Sequence, residues 1–158
     1  MEESFDIEDK MHFDASLARG KVLNEVAMLE KLIDVYLSMY YAQKGKQNSF
    51  MLTFLSKTEL RRKVNIFKET IQLYKNNFVV NYPEYESDLE RIFQSRNIFA
   101  HEVLDVTQEG LIKYSEGVLR FDNFKKNRLV TSFTKEQIEQ EVDLISKYII
   151  GIRELLDD

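Results

Sequence analysis

The chain has 158 residues, 22 basic and 27 acidic side chains for a formal net charge of −5, 44% hydrophobic residues and no cysteine. Lacking cysteine, it has no disulfides, thiolate nucleophiles or cysteine-held metals, and its acidic balance disfavours binding along duplex nucleic acid by bulk charge. The length suits one domain over residues 1–158, large enough to bury roughly 70% of the surface of its unfolded chain.

The opening Met1-Glu2-Glu3-Ser4-Phe5-Asp6 is acidic and has no apolar core, so a signal peptide is not expected and the cytoplasm is the expected compartment. His12, beside this acidic stretch, is expected in a disordered tail. From Val22 the apolar residues Val22, Val26, Leu29, Ile33, Tyr36 and Tyr40 recur at alternating intervals of four and three. That spacing predicts a helix ending before Gly45. Its most apolar part, Leu29 to Tyr41, carries Glu30, Lys31 and Asp34 and is too short to span a bilayer.

The same spacing at Leu60, Val64, Phe67, Ile71, Tyr74 and Phe78 predicts a second helix, with Ser56-Lys57-Thr58-Glu59 as a capping box before it. Lys57, Arg61, Arg62 and Lys63 at its start are candidate contacts for an RNA backbone. Pro83 then punctuates the chain. A third helix follows to about Leu104, with Leu89, Ile92, Phe93, Phe99, Val103 and Leu104 on one apolar arc and Arg96 and Ala100 projecting from its middle.

Between Gly110 and Phe133 the pattern changes to short runs at Leu111–Tyr114, Val118–Phe121 and Leu129–Phe133, which predict a small β-hairpin. Glu116-Gly117 and Lys125-Lys126-Asn127 supply the turns, and Lys125, Lys126 and Arg128 are further candidate RNA contacts. Thr134-Lys135-Glu136-Gln137 is a capping-box pattern before a fourth helix marked by Ile138, Val142, Ile145, Ile149, Ile152 and Leu156. The expected architecture is an all-α four-helix bundle with a β-hairpin between the third and fourth main helices.

Arginine is almost never fully buried unless paired, so Arg96 on an apolar arc requires a carboxylate, a polar cavity or a second chain. One option is structural: an ion pair with Glu25, Glu30 or Asp34, with His101 capping the C-terminus of its helix. The other is functional. Arg96-Asn97-Ile98-Phe99-Ala100-His101 resembles the R-x4-6-H motif of the HEPN superfamily, compact helical bundles of which many are metal-independent ribonucleases in toxin–antitoxin, phage-defence and RNA-processing systems. In that family a polar residue, frequently asparagine, often follows the arginine, and the motif lies toward the end of the third main helix.

The resemblance implies an endoribonuclease in which Arg96, His101 and Asn97 act on a phosphodiester. It implies a homodimer through the helix carrying them, RNA or a nucleotide as ligand, an antitoxin or regulatory protein as a possible partner, and no membrane. The chemistry agrees: histidine, with an unperturbed pKa of about 6.5, can transfer protons near neutrality, and arginine presents a planar cationic fork to phosphate oxygens. Ala100 would admit a second helix closely. A non-catalytic module that binds nucleotide, RNA or protein through the same cleft is the alternative. The chain departs from HEPN toxins modified by a nucleotidyltransferase, since Glu102 and Val103 stand where those carry tyrosine. Glu102 would also put a negative charge beside the phosphate site. His101-Glu102-Val103-Leu104-Asp105 lacks the second histidine of H-E-x-x-H, so no metal or other cofactor is expected.

Overall fold

The computed structural model describes residues 2–74, 77–124 and 129–157, the first five by backbone alone. The chain is mainly helical, with one small antiparallel sheet. Helices α1 (Glu2–Tyr41), α3 (Leu60–Tyr74), α5 (Tyr85–His101) and α7 (Lys135–Asp157) correspond to the four periodic segments. Short helices α2 (Gln47–Thr53), α4 (Asn77–Asn81) and α6 (Gln108–Ser115), a 3-10 turn at Leu55–Lys57, and strands β1 (Val103–Leu104), β2 (Val118–Asn123) and β3 (Leu129–Thr134) complete the described elements. No helix among the described residues is long and apolar enough to cross a membrane.

Several boundaries differ from the expectations, each for a local reason. α1 begins twenty residues before Val22 and includes His12, whose ring lies 3.9 Å from Glu8, one turn back. Its early turns bury Met11, Ala15 and Ala18 ahead of Val22, continuing the same spacing with alanines, which carry little hydrophobic signal. Neither Ser56 nor Thr58 caps α3: both hydroxyls donate backward, to Leu52 and Phe54 carbonyls. Phe78 lies on α4 rather than on α3.

The run Leu111–Tyr114 is helical, not a strand, because Thr107 caps α6 by accepting from the Gly110 amide at 3.3 Å. Gly110 is required there: a Cβ would meet the Asp105 carbonyl oxygen, a backbone atom that cannot swing away. The hairpin forms from β2 and β3, and β1 extends it to three strands through Val103 opposite Asp122 and Leu104 opposite Phe121. The expected turn residues Lys125, Lys126 and Asn127 lie outside the described residues. The capping box of α7 is present, with the Thr134 amide donating to Gln137 Oε1 at 2.8 Å and the Gln137 amide donating to Thr134 Oγ1 at 3.2 Å.

The chain divides into two compact units, each built from two separate segments: Met1–Glu25 with Gln94–Asp143, and Val26–Phe93 with Leu144–Asp158. In the first, Met11, Ala15, Ala18 and Val22 are buried together with Phe99, Leu104, Leu119, Phe121, Phe133 and Ile138. Phe99 sits with its ring centre 5.4 Å from Phe121 and 4.9 Å from Phe133, so the last turn of α5 rests on the sheet. Apolar burial of this kind supplies about 25 cal/mol per Å² removed from water.

In the second unit the core is Val26, Leu29, Ile33, Tyr36 and Leu37 with Phe67, Ile71, Leu89, Ile145 and Ile152. Phe78 is a hub there, its ring centre within 5.9 Å of Phe67, 4.7 Å of Tyr82 and 5.7 Å of Tyr85. A buried ionic cluster crosses this core. Lys63 Nζ donates to Glu30 Oε1 at 2.7 Å and to Asp34 Oδ2 at 2.9 Å. Burial alone would push the Lys63 ammonium down, but hydrogen bonds to Glu30 and Asp34 and their charges together hold it above its ordinary value. Burial pushes the Asp34 carboxyl up, more than Lys63 pulls it down.

Candidate active site

The last turn of α5 brings Arg96, Asn97 and His101 into one hydrogen-bonded set in the first unit. Arg96 Nη1 donates to Asn97 Oδ1 at 3.1 Å and meets His101 Nε2 at 3.2 Å. A guanidinium has only donors. In a hydrogen bond between the two, His101 Nε2 is therefore the acceptor, which calls for the tautomer with its proton on Nδ1. Arg96 and Asn97 are half-buried, and His101 is exposed at the end of the helix.

The surroundings of Arg96 differ from the expected apolar arc. The buried stripe of α5 is Tyr85, Leu89, Ile92, Ser95 and Phe99, continued just past the helix end by Glu102, and Arg96 and Ala100 sit at its half-buried margin. Two polar residues on that stripe hid it from an apolar count. Ser95 Oγ donates to Glu141 Oε2 at 2.7 Å, both buried. No carboxylate among the described residues pairs with Arg96, and Glu30 and Asp34, two of the partners considered for it, are taken by Lys63.

The helix carrying the set ends at His101 because the next residues join the sheet. The Glu102 amide still donates to the Ile98 carbonyl at 3.0 Å, and Val103 then pairs with β2. Arg19 of α1 holds this end: its Nη2 donates to the Glu102 carbonyl at 2.6 Å while its guanidinium stands 5.2 Å from the centre of the Phe121 ring. A cation at a helix C-terminus satisfies a carbonyl and opposes the dipole, and its position over an aromatic face adds cation–π attraction. Arg19 was not among the sequence candidates. Its only signal was its place beside the alanine-bearing stripe of α1.

Glu102 is buried, with Oε1 accepting from Asn123 Nδ2 at 3.1 Å and Oε2 lacking a hydrogen-bond partner. Its carboxylate is engaged within the protein by Asn123 of β2. Asp105 is engaged structurally, accepting from the Thr107 hydroxyl and amide and lying 3.3 Å from Arg120 Nε. Among the described residues no three histidine or carboxylate side chains gather to hold a metal ion.

The basic run at the start of α3 is in the second unit and is not a uniform face. Lys57 and Arg62 are exposed and line one shallow depression with Thr53, Thr58 and Glu59. Arg61 turns toward Glu90 at 3.6 Å and lies 5.6 Å from the centre of the Phe93 ring. Lys63 is only 3% exposed and is held by its two carboxylates, so it has no free face for RNA. The hairpin cations Lys125, Lys126 and Arg128 lie outside the described residues.

No family model, curated protein or solved structure matches the chain. The site presents a cationic fork, an amide oxygen and an exposed imidazole whose Nε2 the fork engages.

Proposed function

We propose that this chain is a HEPN-type helical bundle that acts as a dimeric, metal-independent endoribonuclease, with Arg96, Asn97 and His101 in the active cleft. The observation that carries the reading is the direct Arg96–Asn97–His101 hydrogen-bonded set, with no carboxylate among the described residues spent on the arginine. A structural arginine is usually retained for an ion pair. This one is directed at the histidine.

In the proposed reaction the ribose 2′-oxygen attacks the adjacent phosphorus, the P–O2′ bond forms and the P–O5′ bond breaks. One group takes the 2′ proton and another protonates the departing 5′-oxygen, leaving a 2′,3′-cyclic phosphate and a 5′-hydroxyl. An incoming phosphate competes for Arg96 and frees His101 Nε2 to act as base. One chain has a single His101, so a second copy supplies the acid, and half-buried Ala100 allows the close approach. Lys57, just before α3, and Arg62 in its first turn are the exposed cations of the basic run that could meet an RNA backbone.

A binding-only module for nucleotide, RNA or protein is the second reading. It is favoured by the engagement of the Nε2 lone pair, which leaves His101 no base until Arg96 is drawn away. Incubation of purified protein with single-stranded RNA in EDTA separates the two. The ribonuclease reading expects cyclic-phosphate products and a loss of about a hundred- to thousandfold on His101→Ala. Shifted but uncut RNA supports the binding module, and cleavage abolished by chelation overturns the proposed chemistry.

A further inference from the structure

We propose that a cavity in the first unit, separate from the Arg96 set, binds an alkyl chain bearing a single carboxylate or phosphate. The cavity has a volume of about 500 Å³ and lies among α1, the end of α6, the β2–β3 hairpin and the start of α7. That volume falls within the range of roughly 300–1,000 Å³ common to small-molecule sites. It shares no lining residue with Arg96, Asn97 or His101.

Its interior is hydrocarbon. Ala18, Leu119, Phe133 and Ile138 are buried beneath it, and Leu17, 51% exposed, stands at its opening. An exposed leucine over a buried apolar floor favours a ligand with an apolar body, since covering it removes that surface from water. A planar base is a poor fit. Phe133 is the single aromatic ring on the floor apart from the wall residue Tyr114, and it is 8% exposed and packed against Phe99 and Phe121. It offers no open face for stacking.

The charged groups select the head. Lys10, Lys21 and Lys135 line the cavity and are exposed; the charge of Lys135 acts on the adjacent Glu136 carboxylate, and no described side chain forms an ion pair with Lys10 or Lys21. Against these three cations stand two carboxylates, Asp14 and Glu139. Asp14 is tied, its Oδ2 accepting from the Tyr114 hydroxyl at 2.7 Å. Lys10 and Lys21, beside an apolar floor and with no ion-pair partner among the described side chains, complement an amphipathic anion rather than a neutral or cationic ligand.

The test uses decanoate, decyl phosphate, decanol and AMP as probes, each below its micelle concentration, in isothermal titration against the full-length protein. Decanoate and decyl phosphate are expected to bind saturably at one site per chain, with decanol weaker by about tenfold or more and AMP without effect. Lys21→Glu combined with Lys135→Glu should weaken decanoate by about tenfold, both positions being exposed. Ser115→Trp, at another exposed lining position, should block binding without a charge change. Circular dichroism and melting confirm that each variant is folded. Sedimentation with phosphatidylglycerol vesicles separates free amphiphile from bilayer lipid. Equal affinity for decanol, tighter binding of AMP, indifference to both variants, or binding to vesicles without binding to decanoate would each overturn the proposal.

Discussion

Arg96 and His101 are joined at 3.2 Å between Nη1 and Nε2, and the charge of the guanidinium leaves the imidazole only the acceptor role. The contact sets the tautomer of a histidine that stands exposed at the end of α5. It also makes the availability of Nε2 depend on what Arg96 binds.

The first prediction is spectroscopic. At about pH 8.5, where an ordinary imidazole is neutral, nitrogen-15 spectra of the free protein should show His101 with its proton on Nδ1. Arg96→Ala should redistribute the proton toward Nε2, and inorganic phosphate should act in the same direction by competing for the guanidinium. A resonance for protonated Nε2 in the unliganded wild-type protein would show that the contact does not persist in solution.

Arg96 and Lys63 should respond oppositely to removal. Arg96 is half-buried and pairs with no carboxylate among the described residues, so Arg96→Ala should change stability by no more than about 1 kcal/mol. Lys63→Ala leaves Glu30 and Asp34 together without their cation. The penalty should be about 3 kcal/mol, at the low end for a broken buried pair because Glu30 is 31% exposed. Urea unfolding of the two variants compares them directly, and a large loss for Arg96→Ala would assign the motif to structure.

Arg19 acts on the site through the end of α5. Arg19→Ala removes the bond to the Glu102 carbonyl and the contact with Phe121, which should cost about 1–2 kcal/mol and loosen the segment holding His101. Amide hydrogen exchange over residues 98–104 should accelerate, and Arg19→Lys should restore only part of the protection. Unchanged exchange in Arg19→Ala would show that the sheet alone holds this end.

Stability should fall on the alkaline side. Hydrogen bonding to Asp14 and burial push the Tyr114 hydroxyl up to about 12, with burial the larger cause, and burial together with Asp88 also raises Tyr148. Lys63 is raised by its carboxylates. Each group holds its proton more tightly in the folded chain, so its contribution is complete below its ordinary value and is lost as pH rises toward the folded value. Melting temperature should be flat from about pH 7 to 9.5 and decline above about pH 10, with a shallower decline in Tyr148→Phe. A decline that begins near neutrality would point to other groups.

What could be read without the fold was what repeats locally. The stripes of α3 and α7, the Thr134–Gln137 capping box and the β2–β3 hairpin depend on neighbours a few residues apart, and their spacing is written in the chain. The Arg96, Asn97 and His101 set was legible for the same reason, since one helix end carries all three. The beginning of α1 was missed because its inward positions are alanines, and α6 because two turns of helix and a short strand have the same apolar content. Other assignments depended on partners distant in sequence. Lys63 belongs to a basic run, yet Glu30 and Asp34, about thirty residues away, draw it inside while Lys57 and Arg62 stay out. Ser95 and Glu102 are polar but occupy the buried stripe of α5 and its continuation just past the helix end, because Glu141 and Asn123 meet them there. Periodicity specifies which faces can be covered. Whether a polar group on such a face is buried is decided by the partner that replaces its water, and that partner is supplied only by the tertiary structure.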